Sequence, residues 1–236
     1  MSELAKTGDE FLFIINFDCS EYYIFSPEEA ASNAVYYDFE GITNYPHSKI
    51  EENYVNKPFD FRPVDYETYL SGFNRCKLAL QRGDTYLINL TYQTPLVTEY
   101  SLEDIFKLSS AKFKLLFKNR FVIFSPERFV KIKNGIIETR PMKGTIDAAK
   151  ENAVELLKND VKEKAEHYTV VDLLRNDLSM VANNVRLDEF QRIDFLQTRN
   201  KNLYAMSSEI SGEVKPEFQY KIGSLLQKIL PAGSIL

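Results

Sequence analysis

An Asn-Gly pair, Asn134-Gly135, stands between two short runs rich in β-branched and aromatic residues, RFVKIK (128–133) and IIETR (136–140). Asn and Gly are the residues that best tolerate the left-handed backbone of a two-residue loop, so the pair predicts an antiparallel hairpin here. FVIF (121–124) just before it reads as a further strand. Tight antiparallel pairing of this kind argues against the strict strand-helix alternation of a doubly wound parallel sheet, and the rest of the chain is read around it. From Asn159 to Val181, Ala165, Tyr168, Val171, Leu174 and Leu178 recur at spacings of three and four, which predicts a long helix stopped at Asn183-Asn184. Tyr69, Phe73, Cys76 and Leu80 repeat the pattern over Tyr66 to Gln81, with Gly83 as the stop. Strands are expected over FLFIINF (11–17), Thr85 to Gln93 and Ala205 to Val214, a strand pair or one bent strand over Val185 to Phe195, and a last helix over Glu217 to Leu230. Thr43 to Pro63 reads as loop. The expected fold is α+β, antiparallel sheets with packed helices, in one domain over 1–236.

Composition narrows the function. The 236 residues are 44% hydrophobic, enough for a substantial core. Acidic residues outnumber basic ones 34 to 29, and no Lys/Arg block interleaves with aromatics, so no nucleic-acid partner is expected. Cys19 and Cys76 make neither a disulfide framework nor a metal cluster, and MSELAKTGDE is too polar for a secretory signal. The longest apolar run, Phe11 to Phe17, is far short of a membrane span. The expectation is a soluble cytoplasmic protein with no membrane association.

Four stretches carry polar residues whose spacing allows chemistry. Glu163 and Glu166 stand at i and i+3 on the long helix, so both carboxylates can leave one face and offer hard oxygens to Mg²⁺; a solvated charged turn is the commoner use of such spacing. In RPMKGT (140–145), Gly144 permits close approach to the backbone, while Lys143 and Thr145 supply an amine and a hydroxyl. That amine could bind an anion or act as a nucleophile, or be a surface lysine beside a turn. Glu127, in SPERF (125–129), begins the hairpin that ends near Lys143, so acid and amine can be folded together for acid-base work or as a plain ion pair. In DLLRNDL (172–178), the polar residues interrupt an apolar helical register, and they are expected to hold neighbouring loops.

In their order, GDTYLINLT, SPERF, ETRPMKGT, KEKAEH, VVDLLRNDL and PAGSI resemble the chorismate-binding family, which includes anthranilate synthase component I, aminodeoxychorismate synthase component I and the isochorismate and salicylate synthases. The resemblance covers the chain from about Gly83 onward. It implies an anthranilate synthase component I-like fold and Mg²⁺-dependent chemistry on chorismate, with Glu163 and Glu166 as metal ligands and Gly144 and Thr145 contacting substrate. Isochorismate-type enzymes carry a water-activating lysine where this chain has Leu87. Anthranilate synthases usually have alanine at the place of Lys143, and a histidine near Tyr204-Ala205-Met206, where this chain has none. PMKGT is closest to the PIKGT form of aminodeoxychorismate synthase component I. That resemblance implies Lys143 as covalent nucleophile, Glu127 as general acid, and ammonia from a glutamine amidotransferase subunit. Anthranilate synthase component I and a non-catalytic family fragment are the alternatives. The family pattern continues past PAGSI with further carboxylate-binding and metal-binding groups. The sequence ends at Leu236, so a C-terminally truncated domain with a partial metal site is expected.

Overall fold

The computed structural model describes residues 1–46, 57–86, 88–198 and 201–230. All of its strand pairings are antiparallel and helices pack on the sheets, so the fold is α+β as expected. The largest sheet has five strands built around Leu203–Val214. One edge of that strand carries Ala182–Leu196, a long ladder bent by three register shifts, with Gln191 held at a φ of 56°. The other edge is shared end to end by two strands. Ile136–Thr139 pairs from Glu213 to Ile210, and Met142–Asp147 then pairs from Ser207 to Leu203. Between them Pro141 has no N–H to give to a ladder, yet its carbonyl still accepts the Ser208 N–H at 3.1 Å.

The Asn-Gly hairpin forms, with Asn134 and Gly135 both at positive φ (52° and 76°) and Ile136–Thr139 paired with Lys131–Lys133. Its first strand is shorter than expected. Phe129 and Val130 instead turn their side chains into the core, and the Phe129 carbonyl accepts the Thr139 hydroxyl at 2.6 Å. FVIF falls in a second, four-stranded sheet, whose strands run in the order Ile42–Thr43, Val35–Phe39, Phe113–Phe117, Phe121–Ser125. A small core of Leu12, Ala30, Val35, Tyr37 and Leu115 supports that sheet.

The long helix runs Val161–Val181 and buries His167, Val170, Val171, Leu174, Leu178 and Val181. These pack with Ile137 and Ile210 of the large sheet and with Leu225, Leu226 and Ile229 of the helix Ile222–Ile229. The buried stripe differs from the expected one: Ala165 and Tyr168 face outward, and a histidine takes a core position. A short helix, Ala153–Asn159, missed in the sequence, precedes it directly. Asp160 serves both. Its N–H closes the short helix on the Leu156 carbonyl at 3.0 Å, and its side chain accepts the Glu163 N–H at 2.9 Å to start the long one.

Other expectations are corrected. Among the described residues of Thr85 to Gln93 none lies in a strand. Strand propensity reflects fit to a pleated, half-buried surface, and this stretch lies against a helix instead: Ile88, Leu90 and Tyr92 line a cleft on Tyr66–Arg82, with the Tyr92 hydroxyl donating to the Thr68 carbonyl at 3.3 Å. That helix ends at Gly83 as expected, but buries none of its side chains. Thr43 to Pro63 contains the strand Phe59–Phe61, and the last helical region splits into Pro216–Phe218 and Ile222–Ile229. Asp172 and Arg175 sit on the exposed face of the long helix and pair with each other at 3.9 Å, where they hold no loop. Among the described residues no helix is long and apolar enough to cross a membrane.

Candidate active site

The strand Met142–Asp147 and the first turns of Val161–Val181 bring the sequence candidates onto neighbouring elements. Glu127 follows the strand Phe121–Ser125, in a turn closed by Ser125, whose hydroxyl donates to the Glu127 carbonyl at 2.7 Å. That turn aims the carboxylate at the lysine strand, where Oε2 accepts the Met142 N–H at 2.8 Å. Burial pushes the Glu127 carboxyl above its ordinary value, against the opposing pull of the Met142 N–H and the charge of Lys143. The turn thus sets the Glu127 carboxylate against the backbone of the residue before Lys143. Among the described residues the Lys143 amine closes no ion pair, and its side chain is half-buried. On its other side Glu127 borders a cavity of about 50 Å³ walled by Glu40, Arg128, Arg140, Arg192 and Asp194. Arg128 reaches Glu40 at 2.7 Å there, tying the turn to the second sheet.

At Gly144 the strand lies directly under the acidic helix. Its φ is +80°, and a Cβ added there would lie 3.0 Å from Glu163 Oε2, 3.3 Å from Glu163 Cβ and 3.3 Å from Leu157 Cδ1. The glycine is required twice, by its left-handed backbone and by the side chains above it. Thr145, next along, is exposed and pairs across the sheet with the buried Ala205.

The acidic pair is engaged by a lysine of its own turn, as in a solvated charged turn. The Lys162 ammonium lies 3.6 Å from Glu163 Oε1 and 3.5 Å from Glu166 Oε1, so the two carboxylates converge on a single positive charge. Glu166, then Glu163, in turn holds that ammonium above its ordinary value. Hard carboxylate oxygens suit Mg²⁺, which ordinarily takes one or two of them and fills its octahedron with water and substrate oxygen. Among the described residues no third acidic, His or Cys side chain joins the pair.

One group the sequence reading passed over is buried in the middle of this arrangement. His167 is fully enclosed, with Nε2 2.6 Å from Ser208 Oγ, and burial lowers its basicity. The signal was present: His167 lies one turn before Val170 and Val171 on the stripe that packs against the sheet.

The raised carboxyl of Glu127 gives a pH prediction. A carboxyl whose folded value lies above its unfolded one binds more protons in the native state through the interval between them. Its contribution is therefore intact below about 4.5 and is lost as pH rises through the raised value. Glu127→Gln keeps an acceptor for the Met142 N–H and should remove that downward slope. Denaturant midpoints measured across pH 4 to 8 (an interval on the order of that set by ordinary carboxylate values) should fall less for the variant. Superimposable profiles would show that Glu127 is not the half-buried acid described.

A family model described as chorismate binding enzyme matches residues 9–236. The chain belongs to the chorismate binding enzyme family. An uncharacterized PabA-like protein of Pasteurella multocida is 39% identical over 236 residues, covering 99% of this chain and 72% of its own length. Aminodeoxychorismate synthase component 1 of Salmonella typhimurium is 32% identical over 181 residues, which is 71% of this chain but 38% of the relative. The fold matches a Bacillus anthracis structure assigned as a 2,3-dihydroxybenzoate-specific isochorismate synthase, with a TM-score of 0.60 at 15% identity, over 97% of this chain and 62% of that one. Against these chorismate-binding relatives, the chain thus spans between about two fifths and three quarters of their lengths. Leu87 and PAGSI (231–235), two features used to place the chain within the family, lie outside the described residues.

Proposed function

We propose that this chain is the chorismate-aminating component of aminodeoxychorismate synthase, with Lys143 as nucleophile, Glu127 as general acid, Glu163 and Glu166 as Mg²⁺ ligands, and Gly144 and Thr145 against the substrate. The observation that carries this reading is the pairing around Met142-Lys143: a half-buried carboxyl with raised affinity for its proton is bonded to the backbone beside the lysine. In the reaction proposed, the Lys143 amine forms a C–N bond to the chorismate ring as the ring C–O bond breaks. Glu127 gives its proton to the departing hydroxide, which leaves as water. Burial shifts the Glu127 carboxyl toward its protonated form, the form a general acid needs. Ammonia, from a glutamine amidotransferase partner, then forms its own C–N bond and displaces the lysine, giving aminodeoxychorismate and the free amine.

Mg²⁺, when bound, would screen the ring carboxylate of chorismate and fix it to the acidic turn. Glu163 and Glu166 would hold the ion, with Glu163 seated directly over Gly144 because that residue has no side chain. The likeness to an aminodeoxychorismate synthase component 1 supports the reading, and so does the lysine of PMKGT. Chromatography of a reaction containing chorismate, Mg²⁺ and ammonium decides it. Aminodeoxychorismate is expected; anthranilate or isochorismate as the accumulating product, or unconsumed chorismate, would overturn it.

A further inference from the structure

Ser208 joins three elements through one side chain and one amide. Its N–H donates to the Pro141 carbonyl at 3.1 Å, just ahead of Met142 and Lys143. Its hydroxyl oxygen lies 2.6 Å from His167 Nε2 on the acidic helix and accepts the Gln191 N–H at 3.2 Å from the bent strand. His167 and Ser208 are 0% and 1% exposed, so water does not compete for these bonds. The His167 ring is braced further by Phe190, 5.5 Å away between centroids. The imidazole accepts from the serine hydroxyl or donates to it, and either way one bond fixes the helix to the strand.

Position on the helix gives that bond its consequence. His167 stands four residues after Glu163 and one after Glu166, so it anchors the same face that rests Glu163 on Gly144. Without it, the first turns of the helix are held to the sheet by the Gly144 contact and by packing further along. We infer that His167 is a positioning residue: through Ser208 it sets the spacing between the acidic pair and the lysine strand, although it touches neither metal nor substrate. This rests on the reading of Glu163 and Glu166 as metal ligands.

The test uses the full chain with Mg²⁺ alone as probe. Calorimetry of the wild type comes first, and its failure to bind Mg²⁺ would remove the metal reading and this inference together. Given wild-type binding, Ser208→Ala and His167→Phe should each raise the Mg²⁺ Kd by about tenfold, the usual cost of losing a group that orients a ligand. The double variant should be no worse than either single one, because both remove the same bond. His167→Gln, whose amide reaches the place of Nε2 and can still bond Ser208, should recover part of the affinity. Hydrogen exchange without metal supplies the second readout: amides of 163–167 should exchange about tenfold faster in Ser208→Ala, with 170–181 unchanged. Should His167→Phe fail to fold, Ser208→Ala carries both measurements. Unaltered Mg²⁺ Kd in Ser208→Ala, or faster exchange spread evenly along the helix, would show a merely structural bond and overturn the inference while leaving the metal reading intact.

Discussion

Lys143→Ala is expected to reduce aminodeoxychorismate formation on the order of 10³-fold, the scale on which removal of a covalent nucleophile is felt when the remaining groups still bind substrate. The substitution leaves the strand in place. Lys143 is half-buried, closes no ion pair among the described residues, and sits in Met142–Asp147, whose pairing with Leu203–Val214 depends on backbone groups. Stability should therefore change little, and the loss should fall on turnover more than on chorismate binding. Two secondary effects follow. The charge of Lys143 opposes the effect of burial on Glu127, so its removal should move the carboxyl further above its ordinary value. And if lysine attacks the ring, saturating ammonium cannot restore the rate, because the missing step precedes ammonia. A Lys143→Ala enzyme that matches the wild type at saturating ammonium would dismiss the nucleophile.

Gly144→Ala should cost about 2–5 kcal/mol of stability, from about 1–2 kcal/mol for a Cβ in the left-handed region and about 1–3 kcal/mol for overpacking. Both terms apply because φ is +80° and the new methyl would meet Glu163 Oε2 at 3.0 Å and Leu157 Cδ1 at 3.3 Å. The Glu163 carboxylate is the flexible member of that contact and would move first. Relief of the clash thus comes at the expense of the acidic pair, and Mg²⁺ affinity should fall along with the urea midpoint. A loss of less than about 0.5 kcal/mol, the range of an indifferent surface change, would mean that the strand and the acidic helix do not meet at Gly144.

The sequence made the antiparallel character and the main site elements legible because their signals are local. Asn134-Gly135 needs only its own backbone preferences to form a turn, and Gly83 only its own to end a helix. Glu163 and Glu166 share a face through helix geometry alone. Where partners at a distance decide, the reading failed. TYLINLTYQ has the composition of a strand, but its described residues lie beside a helix. Ala165 and Tyr168 have the spacing of a core stripe, yet the sheet meets the helix at His167 and Val170 instead. His167 was missed for a related reason: a histidine counts as polar in any hydropathy pattern, and only the hydroxyl of Ser208, 41 residues away, makes its burial acceptable. Two polar residues of DLLRNDL expected to hold loops, Asp172 and Arg175, point to solvent, because polarity alone does not say which face of a helix packs.

The double duty of Asp160 has a mechanical consequence. With one residue closing Ala153–Asn159 and opening Val161–Val181, the two helices meet at an elbow that has no spare chain to absorb a rotation. Leu157, on the near arm, sits within reach of Gly144, and Glu163, on the far arm, takes its amide bond from Asp160 itself. The short arm and the acidic turn thus rest on one glycine through closely linked residues, so the packing of Leu157 and the seat of the carboxylate are set together.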